Sequence, residues 1–393
     1  MSTPRIIILV LDACGIGGAP DADAYGDHGA ATLPHVAEAV RGLMMPNTQM
    51  LGLGRIVDIK GVPPVDHPSG AFGSLMPSSA GKDSTAGHWE LAGVLLDRPF
   101  PLFPDGFPEE LVRQFEWETG VGVIGNVAAS GTEIIEKLGE THLRTGKLIL
   151  YTSADSVFQL AAHEAIYPVE QLYEFCRVAR QLLQREFGVA RVIARPFSEQ
   201  NGKFYRTSRR RDFSLPPTGE TILDSAAKAG IGVLSIGKIY DLFAGRGIAT
   251  AIKTANNGEV MSALTDAVKS DTSHRIIFAN CVDFDMLWGH RNDAVGFARG
   301  LEQFDIALGQ LLPQLLDDDI LFITADHGCD PTITTSTDHT RECVPLLAYG
   351  RAIRAGIDIG PRSTFADLGA TVADALGIAP PPAGNSFWRL ISE

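Results

Sequence analysis

Ile6-Ile7-Ile8-Leu9-Val10-Leu11, closed by Asp12, is the stretch on which the fold turns. An unbroken apolar run with this much β-branching predicts a strand buried on both faces, as in the centre of a parallel sheet. Ile276–Asn280, Ile320–Thr324 and Leu346–Tyr349 read the same way. Helical patterns lie between the runs, among them Val295–Leu312 and Phe365–Leu376. Thr364 and Asp367 are spaced as an N-cap and an acidic third position for the second of these. Strand and helix alternate, which predicts an α/β fold with a mostly parallel central sheet.

The middle of the chain breaks the pattern. Pro99–Gly120 is rich in Pro, Phe and Glu. A second set follows, with Leu148–Ser153 and Arg191–Ala194 as strands and Val169–Phe187 as a helix. It closes in the polar, basic stretch Asn201–Asp212 and then Leu215-Pro216-Pro217. A helix near Glu220–Ala229 and a strand near Val233–Ile236 resume the first pattern. The expectation is an inserted α/β domain, 99–217, within a discontinuous core domain, 1–98 and 218–393. The 393 residues suffice for two domains, at ~100–200 residues each.

The formal net charge of -14 argues against a general nucleic-acid binder, which would show a basic face. A phosphate substrate would have to be held locally, by metals or clustered Arg and Lys. The five cysteines are scattered and none is in CxxC spacing, so they imply neither a disulfide framework nor a zinc-thiolate site. The first apolar run is short and ends in Asp12, unlike a secretory signal. No run has the ~18 apolar residues of a membrane span. The expected location is the cytoplasm, away from membranes.

Chemistry gathers where the strands end. Asp12 follows the first strand, Asp326-His327 the strand at Ile320, and Asp283-Phe284-Asp285 with His290 the strand at Ile276. Ligands of open α/β sheets bind outside the carboxyl ends of strands. A fourth segment, Thr337-Asp338-His339-Thr340-Arg341-Glu342, stands just before the strand at Leu346. Mixed carboxylates and imidazoles suit Mn²⁺, Zn²⁺ or Fe²⁺. His28, His35, His67, His142, His163 and His274 lack such a setting and read as ordinary histidines.

Ser79-Ala80-Gly81-Lys82-Asp83-Ser84-Thr85-Ala86-Gly87-His88-Trp89-Glu90 offers hydroxyls in a loop entering a helix. It is not a P-loop: Asp83 follows Lys82, and Met76 stands where the first Gly belongs. A hydroxyl bound to metal there would lose its proton and attack phosphorus. Gly15-Ile16-Gly17-Gly18-Ala19-Pro20 fails as a dinucleotide fingerprint because its sixth position is Pro. Its glycines read as room for the backbone beside Asp12.

Together these segments resemble the phosphopentomutase family of the alkaline phosphatase superfamily. Asp12–Ala22, Gly81–Ser84 with Gly87–Glu90, Ala129–Glu133, Tyr151–Val157, Val192–Phe197, Val282–Asp285 and Asp338–Glu342 carry the resemblance, over nearly the whole chain. It implies an alkaline phosphatase-like core, an inserted cap, and two Mn²⁺ or other divalent ions. One ion would be held by Asp285, His290 and His339, the other by Asp12, Asp326 and His327. Ser84 would be the nucleophile bridging them, where many relatives have Thr. The segment from Asp326 to His339 is about one residue longer than the family pattern, at Thr334–Ser336. The implied reaction interconverts α-D-ribose 1-phosphate and D-ribose 5-phosphate, and the 2-deoxy forms. It passes through phospho-Ser84 and a pentose bisphosphate, with a sugar bisphosphate as primer, in nucleoside salvage. Arg191, Arg206 and Lys238 would take the distal phosphate, with Ser153, Asp155, Val157 and Ile193 near the sugar. Arg209–Arg211 read as a solvated surface run. A hydrolase or a cofactor-independent phosphoglycerate mutase of the superfamily would share the metal set but not the cap segments.

Overall fold

The computed structural model describes residues 3–153, 156–271 and 273–392. The chain divides into two compact units, Met1–Arg98 with Pro217–Glu393, and Pro99–Pro216.

The larger unit is built on a nine-stranded sheet. Its path runs Thr250–Ile252, Gly232–Ile236, His274–Cys281, Arg5–Leu11, Asp319–Thr324, Glu342–Tyr349, Ala71–Leu75, Asp358–Arg362, and Gly17–Gly18 pairs with Glu342–Tyr349. The strand Arg5–Leu11 is buried along its whole length. It pairs in parallel on both sides, with His274–Cys281 and with Asp319–Thr324. The register sets Val10 beside both Asn280 and Thr324. Asp12 therefore leaves the sheet between two other carboxyl ends.

Glu342–Tyr349 is the exception. It runs antiparallel to both its neighbours, Asp319–Thr324 and Ala71–Leu75. Its amino end thus lies at the same edge as the carboxyl ends of the parallel strands. The other edge holds a buried ion pair: Arg5 donates to both Asp319 oxygens at 2.7 Å and to the carbonyls of Val268 at 2.9 Å and Asp271 at 2.5 Å. A charge this deep in a sheet needs such saturation.

Helix Ala294–Leu311 forms close to the expected span, opened by the Asp293 side chain accepting from Gly296 N–H. Helix Ile222–Lys228 is fixed by a capping box of Thr221 and Asp224. Helix Ala366–Leu376 departs from expectation at its start. Thr364 Oγ1 accepts from Ala366 N–H and donates to Glu90, whereas Asp367 takes Arg362 and Asn385 N–H instead of reaching back to the cap. A buried carboxylate goes to the cation beside it in preference to a weak local bond.

In the smaller unit a six-stranded sheet follows the order Val123–Ala128, Leu148–Thr152, Val157–His163, Arg191–Gln200, Lys203–Arg206, with Arg211–Ser214 on Arg191–Gln200. An apolar cluster with Phe107, Phe115, Phe158 and Leu172 fills one side. Ile134, Tyr151 and Phe197 anchor a second cluster. Arg209–Arg211 is exposed, as expected of a solvated run, but each guanidinium has a neighbour. Arg209 pairs with Glu164, Arg210 with Asp212, and the Arg211 guanidinium stands 5.2 Å from the Tyr173 ring centre.

Candidate metal centre

Seven side chains converge at the sheet edge of the larger unit. Asp12 follows its strand directly, and Ala13 turns the chain with φ 66°. Asp326 and His327 follow the neighbouring strand. Asp285 lies in a short π-helical turn, Phe284–Trp288, that continues into the turn carrying His290. His339 arrives from the antiparallel side. Asp12, Asp326 and His327 place one donor atom each within 4.8 Å of one another, and so do Asp285, His327 and His339. His290 Nε2 and His339 Nε2 each stand 3.2 Å from Asp285 Oδ1.

Ser84 is the first residue of helix Ser84–Leu91, where Asp83 caps by accepting from Thr85 and Ala86 N–H. Its Oγ lies 3.1 Å from His327 Nε2 and 3.5 Å from Asp12 Oδ1. Thr85 is about 100° further round the helix and buried. The helix can approach because residue 87 is Gly: a Cβ there would fall 2.1 Å from the Asp326 carbonyl oxygen.

Close approach without hydrogen bonding marks the centre. Asp285 Oδ1, Asp326 Oδ2 and His339 Nε2 are buried yet have no hydrogen-bond partner. Asp285 Oδ1 and His339 Nε2 approach to 3.2 Å without a hydrogen bond between them, an arrangement that a bound cation would satisfy. The donor set therefore fits divalent metal. Burial opposes the charge of Asp12, but His327 outweighs it and holds the carboxyl below its usual range. Asp285 is held far below that range, against burial, by His339, His327 and His290. Burial also opposes the charge of His327, and Asp326, Asp12 and Asp285 together raise it well above its ordinary value. Three carboxylates collected here demand positive charge.

Several supporting residues had no role assigned from sequence spacing, although His88, Lys82 and Arg341 lie in the segments that stood out. Asn280 looks like a polar interruption of a strand. Its Nδ2 donates to Asp12 Oδ2 at 3.0 Å and approaches His88 Nε2 at 3.2 Å. His88 is fully buried, with Nδ1 2.8 Å from the Ser84 carbonyl and 3.0 Å from Asp326 Oδ2. An Nδ1–H tautomer donates to the Ser84 carbonyl and leaves Nε2 to accept from Asn280, so Asn280 and His88 link Asp12 to the nucleophile's backbone. Arg341 donates to the carbonyls of Pro77, Ser79 and Gly81 and pairs with Asp21, fixing the loop before Ser84. Lys82 Nζ lies 3.1 Å from both Asp27 oxygens and 3.3 Å from Asp338. Gly15 makes room for Glu342 and not for Asp12: a Cβ at Gly15 would fall 2.3 Å from Glu342 Oε2, which accepts from Gly17 and Thr32 N–H.

The remaining expected residues lie elsewhere. Lys238 is an exposed residue after the strand Gly232–Ile236 in the larger unit. In the smaller unit Val157 and Arg191 are register partners, and Val157 and Ile193 are buried. Ser153 directly follows the strand Leu148–Thr152. Arg206 Nη1 would be 3.4 Å from a Cβ on Gly131, the first residue of helix Gly131–Thr145. Asp155 lies outside the described residues.

A hydroxyl set among carboxylates and imidazoles at strand ends defines a metal-dependent class, and residues 227–380 match the family model described as the Metalloenzyme superfamily. The fold is similar to phosphoglycerate mutase of Leishmania mexicana, with a TM-score of 0.51 and 14% identity over 100% of this chain and 98% of that one. The chain is 53% identical to phosphopentomutase of Thermotoga petrophila over 99% of its length and 100% of that protein's. It is 50% identical to phosphopentomutase of Clostridium novyi, over 98% and 99%. The chain belongs to the phosphopentomutase family. Among the described residues no helix is long and apolar enough to cross a membrane.

Proposed function

We propose that this chain interconverts α-D-ribose 1-phosphate and D-ribose 5-phosphate, and their 2-deoxy forms, through phospho-Ser84 and a pentose bisphosphate, in nucleoside salvage. The observation that carries this reading is the Ser84 hydroxyl, 3.1 Å from His327 Nε2 at the head of a capped helix, in a chain whose full-length relatives bear the name phosphopentomutase. Asp285, His290 and His339 would hold one divalent ion and Asp12, Asp326 and His327 another, with Mn²⁺ a suitable occupant of both. When bound, the ions supply charge neutralisation for the phosphoryl oxygens and favour the ionised hydroxyl.

The chain's own residues do the positioning. His88 holds the Ser84 carbonyl, and Asp83 closes the helix start beside it. Phospho-Ser84 would give its phosphoryl group to the free hydroxyl of the pentose monophosphate, and Ser84 Oγ would then take the other phosphoryl group from the resulting bisphosphate, which conserves phosphate. Phosphoryl transfer rests mainly on such positioning and charge. In the smaller unit Arg191 and Arg206 are proposed to hold the distal phosphate. Ser153, Asp155, Val157 and Ile193 are proposed beside the sugar, which makes this unit the substrate-binding cap. The free N–H groups of helix Gly131–Thr145, beside Arg206, favour an anion there.

The test is purified protein with Mn²⁺, a trace of sugar bisphosphate and ribose 1-phosphate. Ribose 5-phosphate without free phosphate supports the mutase, and stoichiometric free phosphate would show a hydrolase instead. Ser84→Ala should abolish turnover while Thr85→Ala retains it.

A further inference from the structure

Cys329 is a buried thiol set among charged groups. Cys176, by contrast, is enclosed by Leu172, Phe175 and Val192 in an apolar cluster, the ordinary place for a buried free cysteine. Cys329 is as buried, but its surroundings are the charged groups Asp285, Asp338, Glu342 and Asp12.

We propose that Cys329 Sγ is a sulfur donor to the divalent ion held by Asp285 and His290, a proposal that rests on the metal-centre reading above. Sγ, a carboxylate oxygen of Asp285 and a ring nitrogen of His290 all lie within 4.8 Å of one another. Asp285 Oδ1 is the second, independent sign of a ligand, since it is buried and has no hydrogen-bond partner. The thiol is held in place by its backbone, whose N–H points to Ala13 O and Thr32 Oγ1, both at 3.2 Å. Space for the sulfur is kept by Gly289, directly before His290: a Cβ there would fall 2.8 Å from Sγ. The competing partner of the thiol is the Asp338 carbonyl at 3.6 Å. A weak S–H donor at that distance is readily surrendered.

On coordination the sulfur binds as thiolate and its proton passes to the buffer. A soft donor among imidazole and carboxylate moves selectivity away from Mn²⁺ and towards Zn²⁺ and Co²⁺. A family-like centre of only oxygen and nitrogen donors would lack that bias.

The experiment is titration of the metal-stripped full-length protein with Co²⁺, followed by absorbance and by equilibrium dialysis. The expected result is a sulfur-to-cobalt charge-transfer band in the near ultraviolet that saturates with bound metal. In Cys329→Ser the band should vanish while Co²⁺ still binds, and the Zn²⁺-over-Mn²⁺ preference should fall by roughly tenfold or more, the scale on which groups around a metal alter affinity. Bound Co²⁺ without the band in the wild-type protein overturns the proposal and leaves the metal centre standing. A band that survives in Cys329→Ser overturns it too, pointing to another cysteine such as Cys14. Failure of the wild type to bind Co²⁺ at all refutes the metal-centre reading along with it. The wild-type spectrum decides the matter even if the variant does not fold.

Discussion

Asn280→Ala is the sharpest test of how the centre is assembled. Asn280 touches no proposed substrate and is fully buried at the end of its strand. Its one amide nitrogen steadies Asp12 and satisfies His88, which in turn contacts Asp326 and the Ser84 carbonyl. Truncation removes a hydrogen bond to a charged carboxylate, worth about 1.5–3 kcal/mol. If that energy serves to orient Asp12, metal affinity should fall about 10- to 150-fold, since 1.4 kcal/mol is a factor of ten. Calorimetric titration of the stripped protein with Mn²⁺ measures the affinity directly. A thermal melt of the stripped protein, run in parallel, separates a loss of folding from a loss of orientation. Activity should recover substantially at saturating Mn²⁺, because the ligand atoms themselves remain. Unchanged Mn²⁺ affinity in a folded Asn280→Ala protein would refute the idea that this amide orients Asp12.

Three further outcomes follow from the geometry. Gly87→Ala places a methyl 2.1 Å from the Asp326 backbone oxygen, so the helix bearing Ser84 must retreat; kcat/KM should drop by ~100-fold, the usual scale for a misplacement of about 1 Å. Chelation leaves Asp12, Asp285 and Asp326 facing each other, and restoring Mn²⁺ to a hundred times its Kd should raise Tm by roughly 5–10 °C in differential scanning. Asp212 is held below the usual carboxylate value, burial opposing and Arg210, Arg191 and Arg195 prevailing. Its folded pKa is depressed, so its stabilisation is full above the unfolded pKa of about 3.9 and lost as pH falls through the folded one. Asp212→Asn should therefore be less stable than wild type at neutral pH and lose less on acidification below about pH 4, read by circular dichroism.

The run Ile6–Leu11 with Asp12 behind it was legible because both signals are local. An apolar β-branched run makes a central strand, and a carboxylate one residue past its end must face the sheet's carboxyl edge. The same reasoning found Asp326 and His327, and Asp285 with His290. The gathering of Asp12, Asp285, His290, Asp326 and His327 at that edge could be expected because each strand end was readable by itself. His339 was visible from resemblance but not from strand polarity. It precedes its strand, and only the antiparallel pairing of Glu342–Tyr349 with Asp319–Thr324 brings a strand's amino end to that edge.

Other members needed the folded chain for the same reason: their roles depend on partners far away in sequence. Asn280 and Asp12 are separated by 268 positions, and Thr32 and Glu342 by 310. The glycines after Asp12 looked like room for their own loop, whereas the occupant of that room is Glu342. Cys329 has no CxxC spacing to mark it, and only the folded chain packs the turn carrying His290 against it. Apolar runs and the carboxylates behind them indicated the central strands and the side chains gathered at their carboxyl edge. Tertiary pairing decided the direction of the strand behind His339, the brace beneath the carboxylates and the thiol beside them, because each is a contact between groups that no local pattern links.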